Sequence, residues 1–323
     1  MTPLRIASPR AAYVALVLLT LLWGGNWIAM KLALMHSHPV VFNAQRTVLA
    51  VAALFVALRL RGGPYAPPPW QALVVTAFFQ TTVNMGSTVM GLAGGGAGRT
   101  SVLVFTMPFW TLLIAWPVLH ERVKGLQWLA IALAAAGLAL VVGSLHWGAD
   151  LAAKGWSVLS GFGWAAGSVA LKHYQRDRRI DLLNFMAWQM LVGTVPFAVL
   201  PLVHAFPATQ WSVAQALLLV YVGVLSTALG FLAWIEILRW LPAGTASLNL
   251  FAVPVLALLA SMAIFGERLS ASEWAGISCI VAGLVVLGIR AMRSPATATA
   301  AARGTGPPGT RARGARPRAA GPG

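Results

Sequence analysis

Apolar runs of about 17–23 residues recur along the whole chain, each long enough to cross a hydrocarbon core of about 30 Å as a helix. They fall at 11–31, 40–59, 70–91, 99–119, 126–143, 155–172, 182–201, 212–235, 244–265 and 273–290, with only short polar connections between them. None shows the alternation of apolar and polar positions that marks a half-buried strand. Lipid also demands that every backbone amide be satisfied internally, which favours helices. The pattern predicts an all-α membrane protein with ten transmembrane helices. The first run follows a basic start, as in a signal peptide. It is nonetheless long, contains Trp and Asn, lacks an Ala-x-Ala site and is followed by nine more, so it reads as an uncleaved first helix.

The pattern is also written twice. Around Pro108 the chain reads SVLVFTMPFWTLLIAWPVLHERVKGLQWLAIALAAAGLALVV, and around Pro254 it reads SLNLFAVPVLALLASMAIFGERLSASEWAGISCIVAGLVVLG. Ser101/Ser247, Phe105/Phe251, Glu121/Glu267, Arg122/Arg268, Trp128/Trp274 and Gly137/Gly283 share one offset of 146. Earlier in the repeats the offset is 141 (Trp23/Trp164, Lys31/Lys172) and then 143 (Phe42/Phe185, Arg46/Gln189), a drift that loop insertions explain. The repeats are set at residues 13–142 and 155–289, followed by a tail at 294–323. Five helices per repeat is an odd number, so the two repeats are expected to lie inverted in the bilayer, the architecture of secondary transporters.

Charge then orients the chain. The net charge of +16 could point to nucleic acid, but its placement follows the membrane instead. With the N-terminus cytoplasmic, eighteen of the 23 Lys and Arg residues fall on the cytoplasmic side. Only Lys31, Arg99, Lys154 and Arg268 fall outside, and Arg46 lies within the second helix. The positive-inside rule therefore places both termini in the cytoplasm, Glu121 inside and Glu267 outside. The tail, rich in Ala, Gly, Pro and Arg, has no apolar face to bury and is expected to be disordered and dispensable. At 9% charged and 59% hydrophobic residues, with short connections throughout, the chain has no room for a soluble domain. Its partners are then the lipid bilayer and a small-molecule substrate, with no nucleic acid.

No catalytic or metal constellation emerges. His36 and His38 have no nearby carboxylate, no phosphate loop or GxSxG is present, and the single Cys279 lies within the last helix. The chain is read as neither an enzyme nor a cofactor binder. Polar residues inside the spans are more telling, since lipid makes them costly unless they face a partner or a cavity. Trp23, Asn26 and Trp27 share one helix face by their spacing, and Gln80 and Asn84 share another. With Trp164, Ser168 and Asn249 from the second half, the expectation is a central cavity contacted by Trp23, Asn26, Gln80, Asn84, Trp164, Ser168 and Asn249, suited to a neutral or zwitterionic substrate. Interhelical hydrogen bonding is the alternative role for each. Arg46 has two readings as well: it binds a substrate carboxylate or phosphate, or it locks its helix against backbone carbonyls. Glu121 and Glu267 are each expected to stabilise the start of the helix that follows. Pro108 and Pro254, in matching helices, are expected to bend them as hinges.

The stretch LLWGGNWIAMKLAL, the mid-helix prolines running on to LHERV and FGERL, and the AGL segments of the last helix of each repeat resemble the EamA-type drug/metabolite transporter family over about residues 13–290. The resemblance implies ten helices in two inverted five-helix repeats and bacterial inner-membrane carriers that often export amino acids or other small metabolites. Where many members have a Glu immediately before the ninth-helix proline, this chain has Val253, and Met107 at the matching place in the first half. A non-transporting receptor, scaffold or lipid-modifying enzyme is the competing class. An enzyme of that kind should show clustered acids, histidines or a nucleophile.

Overall fold

The computed structural model of the protein describes residues 6–62, 65–143, 149–176, 180–241 and 250–293; Asn249 and the 294–323 tail lie outside them. The described residues are helical with connecting turns and contain no strand. α1 (Pro9–Leu34) starts where the Ser8 hydroxyl accepts from the Ala11 N–H at 3.2 Å and Pro9 supplies a fixed φ at no cost in hydrogen bonds. α2 (Pro39–Arg61) repeats the device with His38 as the cap, and ends on Gly62 in the left-handed region, φ 68°. α3 (70–94) is α-helical at Trp70–Thr76 and Asn84–Gly94 and π-helical at Ala77–Val83 between them. α4 (Ala97–Val104) and α5 (Met107–Leu119) are one span broken at Phe105–Thr106. α6 (Leu126–Gly143) completes the first half.

The second half repeats the order with α7 (Ala149–Gln175), α8 (Leu182–Val203), α9 (213–240), α10 (Ala252–Phe265) and α11 (Ala271–Arg293). α9 carries its own π-helical segment, Tyr221–Leu229, so the third helix of each half contains one. Among the described residues, six spans are long and apolar enough to cross a membrane: Pro9–Leu34, Pro39–Arg61, Ala97–Leu119, Leu182–Val203, Val213–Trp234 and Ala271–Ile289. That is fewer than the ten runs above. Leu126–Val141 and Ala252–Phe265 are apolar but shorter, while α3 and α7 pack against each other through buried Asn84, Thr88, Ser157 and Ser160.

The surface is apolar and much of the interior polar, as a bilayer solvent requires. Leu18, Leu60, Leu202 and Leu259 are exposed, whereas Asn43, Thr47, Thr81 and Ser160 are fully buried. Phe42 and Phe185, repeat equivalents, are the two largest fully buried side chains. α6 and α11 meet backbone to backbone. A Cβ on Gly137 would lie 2.5 Å from the Gly276 carbonyl oxygen, and one on Gly276 2.6 Å from that of Gly137.

Candidate functional site: a central cavity

A cavity of about 440 Å³ lies between the two halves. α1 lines it with Trp23, Asn26, Trp27 and Met30, a single stripe at helical spacing. Arg46 of α2, Asn84, Met85 and Thr88 of α3, and Val104, Phe105 and Met107 at the α4–α5 break complete the first half's share. The second half contributes Trp164 and Ser168 of α7, Ser226, Thr227, Phe231 and Trp234 of α9, and Val253 of α10. Five of the seven residues expected from the sequence therefore meet here: Trp23, Asn26, Asn84, Trp164 and Ser168.

Their hydrogen bonds separate packing from availability. The Trp23 indole N–H donates to the Ser226 carbonyl at 3.0 Å, and its ring packs edge-on against Phe231, which stacks on Trp164 at 5.8 Å and 12°. Asn84 Nδ2 donates to Ser160 Oγ (2.9 Å) and Ser160 O (3.0 Å), tying α3 to α7. Gln80 lies away from the cavity lining. It donates to Ser168 Oγ at 2.7 Å and accepts from Gln189 Nε2 at 3.0 Å. The shared face expected for Gln80 and Asn84 assumed an α-helix. The π-helical turn at Ala77–Val83 inserts an extra residue per turn and rotates Gln80 toward α7 and α8.

Met30, Arg46, Phe231 and Trp234 are cavity residues that the sequence expectation did not select. Met30 continues the 23–26–27 stripe and was legible from spacing alone. Phe231 and Trp234 follow the second π segment, which displaces them from α-helical register. Arg46 is 5% exposed; its Nε donates to Asn43 Oδ1 at 2.8 Å and its Nη1 contacts Met30 Sδ at 2.7 Å. No backbone carbonyl holds it among the described residues.

Each proline sits in the first turn of a helix, just past a break in the backbone. Pro108 is the second residue of α5 and Pro254 the third of α10, each just after a turn at Phe105–Thr106 or Phe251. The Val104 carbonyl, four residues before Pro108, lies against α7 where Gly161 leaves room: a Cβ there would come within 2.8 Å.

At one end of the helix bundle, buried charge links the two repeats. Glu267, after α10, accepts from the N–H groups of Gly98 (3.1 Å) and Arg99 (3.2 Å), in the first turn of α4, and from the Ser261 hydroxyl. A carboxylate suits a helix N-terminus, but this is a helix of the other repeat and not the one that follows Glu267, as the sequence had suggested. A Cβ on Gly96 would collide with that carboxylate. Arg99 Nε sits 3.6 Å from Glu267 and 3.0 Å from Glu273, and Lys154 Nζ sits 3.7 Å from Glu273. Lys31 Nζ donates to the Leu92 (2.6 Å) and Gly95 (2.7 Å) carbonyls alongside. At the opposite end, beyond α5, Glu121 pairs with Lys172 at 2.8 Å, both about half exposed, beside a surface hollow of about 470 Å³.

The comparisons with known proteins agree with this architecture. The EamA-like transporter family matches residues 10–143 and again 152–289. The chain belongs to the EamA-like transporter family. It is a multi-pass membrane transporter built from two EamA repeats. Among its relatives, the uncharacterized transporter YoaV of Bacillus subtilis is 25% identical over 84% of this chain and 94% of its own length. A probable amino-acid metabolite efflux pump of Salmonella typhimurium is 29% identical over 89% of this chain and 98% of its own, and one of Escherichia coli K12 is 27% identical over 84% and 93%. A chain of known crystal structure superposes with a TM-score of 0.63 over 88% of this chain and 99% of that one at 19% identity, which supports the fold.

Proposed function

We propose that this EamA transporter exports small amphipathic metabolites, amino acids or related compounds, across the bacterial inner membrane by alternating access. Both termini are cytoplasmic in this reading, and Pro108 and Pro254 act as hinges on either side of the pathway. The observation that carries it is the central cavity. Its volume of about 440 Å³ falls in the usual range for small-molecule sites, roughly 300–1,000 Å³. Its indole walls beside Asn26 and Arg46 suit a compound with an apolar body and a polar head. Two relatives bear the name of amino-acid metabolite efflux pumps. In this reading the contacts between the repeats at Glu267 release as the Glu121 end closes in exchange.

Metabolite profiling of cells that overexpress the chain tests this. One or more small amphipathic compounds should accumulate in the medium, and Asn84→Ala and Trp164→Ala should each reduce that export several-fold at equal membrane abundance. Export by both variants at the wild-type rate would remove the cavity from the pathway. A wild-type profile matching the empty vector would remove the export reading.

A further inference from the structure

Arg46 is a permanent cation with no anion beside it. Among the described residues no carboxylate forms an ion pair with it, and its side-chain partners are Asn43 and Met30. A guanidinium does not shed its proton, so burial leaves a charge that the surroundings must answer. Its repeat equivalent, Gln189, ties its helix to Gln80 without any charge, so packing at this register does not require one. The partner it does have is telling. Arg46 Nη1 points at the Met30 thioether at 2.7 Å, and Asn26 Nδ2 points at the same sulfur at 3.8 Å, while Asn26 Oδ1 is buried without a partner. Two good donors converge on one of the weakest acceptors a protein has. All three side chains line the cavity, and Met30 is unbranched and able to swing aside.

We propose that Arg46 and Asn26 form the anion receptor of the cavity, and that the transported compound presents a carboxylate oxygen to them in place of the Met30 sulfur. The inference rests on the cavity being the transport site. Arg46 is the one charged side chain among the described lining residues, which matches a single negative charge and not the double charge of a phosphate monoester. The indoles of Trp23, Trp27 and Trp164 then take the rest of the molecule. The receptor has no counterpart in the second half, where Gln189 stands in place of Arg46, so the carboxylate is held by the first repeat alone.

The test is tryptophan-fluorescence titration of the purified protein in detergent with L-phenylalanine, 3-phenylpropionate and 3-phenylpropionamide. The two carboxylates should bind at least about tenfold more tightly than the amide, the difference expected of a charge-assisted hydrogen bond. Arg46→Gln should bring the carboxylates down to the amide's affinity while leaving the amide unchanged, which also reports an intact cavity. Arg46→Lys should fall between. If Arg46→Gln does not give a monodisperse protein, Asn26→Leu replaces it and should weaken the carboxylates alone by a few-fold. Equal affinity for acid and amide in the wild-type protein overturns the proposal, as do carboxylate affinities unchanged in these variants, or no carboxylate binding at all. The metabolite profile is read separately. Export of a compound without any acidic group, at the same rate in Arg46→Gln, sinks the receptor and leaves the transporter standing. A silent profile beside clear acid–amide discrimination does the reverse.

Discussion

Glu121 and Glu267 occupy the same place in the two repeats, and their local backbones match. Each follows the last helical turn of its span by way of a left-handed residue, His120 at φ 54° and Gly266 at φ 64°. Three residues beyond each, the next helix is capped alike: the Lys124 N–H donates to Gln127 Oε1 and the Ser270 N–H to Glu273 Oε2, both at 2.9 Å. Their surroundings nonetheless differ. The Glu267 side chain is 6% exposed and bonded across to α4, while that of Glu121 is 45% exposed and paired with Lys172 on the surface. Even the lysines correspond, since Lys31 lies beside the Glu267 cluster and Lys172 pairs with Glu121. Repeated sequence therefore repeats the turn and the cap. Whether the carboxylate is buried against the other repeat or left on the surface is a property of how the halves are docked, not of the motif.

The sharpest way to break this comparison is labelling, because its expected outcome is all or none. In a Cys279→Ser background, Arg268→Cys and Arg122→Cys both place a thiol at an exposed position, one at each end. A membrane-impermeant maleimide applied to intact cells should modify position 268 and leave 122 untouched. Modification of both from outside would place the two ends on one side of the membrane and remove the inverted arrangement.

Next in size is the buried carboxylate itself. Glu267→Ala strands the Gly98 and Arg99 amides, the Ser261 hydroxyl and the Arg99 guanidinium, and breaking a buried ion pair costs about 3–5 kcal/mol. Glu121→Ala removes only a solvated pair and should cost no more than about 1 kcal/mol. Melting of the two variants in detergent gives the contrast directly. Equal shifts would mean that the buried Glu267 contributes no more to stability than the exposed Glu121.

The helices, the doubling and the pairing of Lys31 with Lys172 were legible because hydropathy and spacing are local. Five cavity residues were legible for the same reason: an Asn or Trp on an apolar helix has few other places to go. What stayed hidden is tertiary. Nothing near Glu267 in the chain points to Gly98, which lies in the other repeat. The π segments of α3 and α9 shift the facing of Gln80 and Phe231 without any mark in the hydropathy pattern. Arg46 was noticed, but its meaning depends on Met30, a residue whose apolar character gave no reason to pair it with a cation.

A smaller effect tests the matched turns. Gly266 takes a left-handed φ without strain, whereas a residue with a Cβ at that position is disfavoured by about 1–2 kcal/mol. Gly266→Ala should therefore destabilise by about that amount, and His120→Gly, at the strained member of the pair, should be neutral or mildly stabilising. Both are read from melting in detergent. A stabilising Gly266→Ala would show that the two turns are not equivalent.

The smallest contrast lies in the caps of the second helix of each half. His38 and Asp181 are repeat equivalents at an offset of 143. His38 Nδ1 accepts from the Val40 N–H at 3.4 Å, and Asp181 Oδ1 from the Asn184 N–H at 3.1 Å. Burial, with the Phe206 ring stacked at 4.5 Å, pushes the His38 pKa below its ordinary 6.5. Burial alone would raise the Asp181 pKa, but hydrogen bonds from Arg61 and the Asn184 N–H, with the Arg61 charge, hold it below 3.8. Both folded values lie under the unfolded ones, so each cap contributes fully above its unfolded pKa and fades as pH falls through the folded one. The windows differ: the His38 contribution declines on acidification below about 6.5, that of Asp181 only below about 4. Asp181→Asn keeps a capping side chain and loses the Arg61 ion pair, so it should cost no more than about 1 kcal/mol at pH 7. Against the wild-type protein that difference should persist at pH 5 and shrink progressively as pH falls below about 4. His38→Asn, by contrast, should differ from wild type more at pH 5 than at pH 7, because its cap does not protonate. A difference for Asp181→Asn that is the same at pH 3 as at pH 7 would mean that folding does not lower the carboxylate's pKa, and that the tie between α2 and α8 does not form.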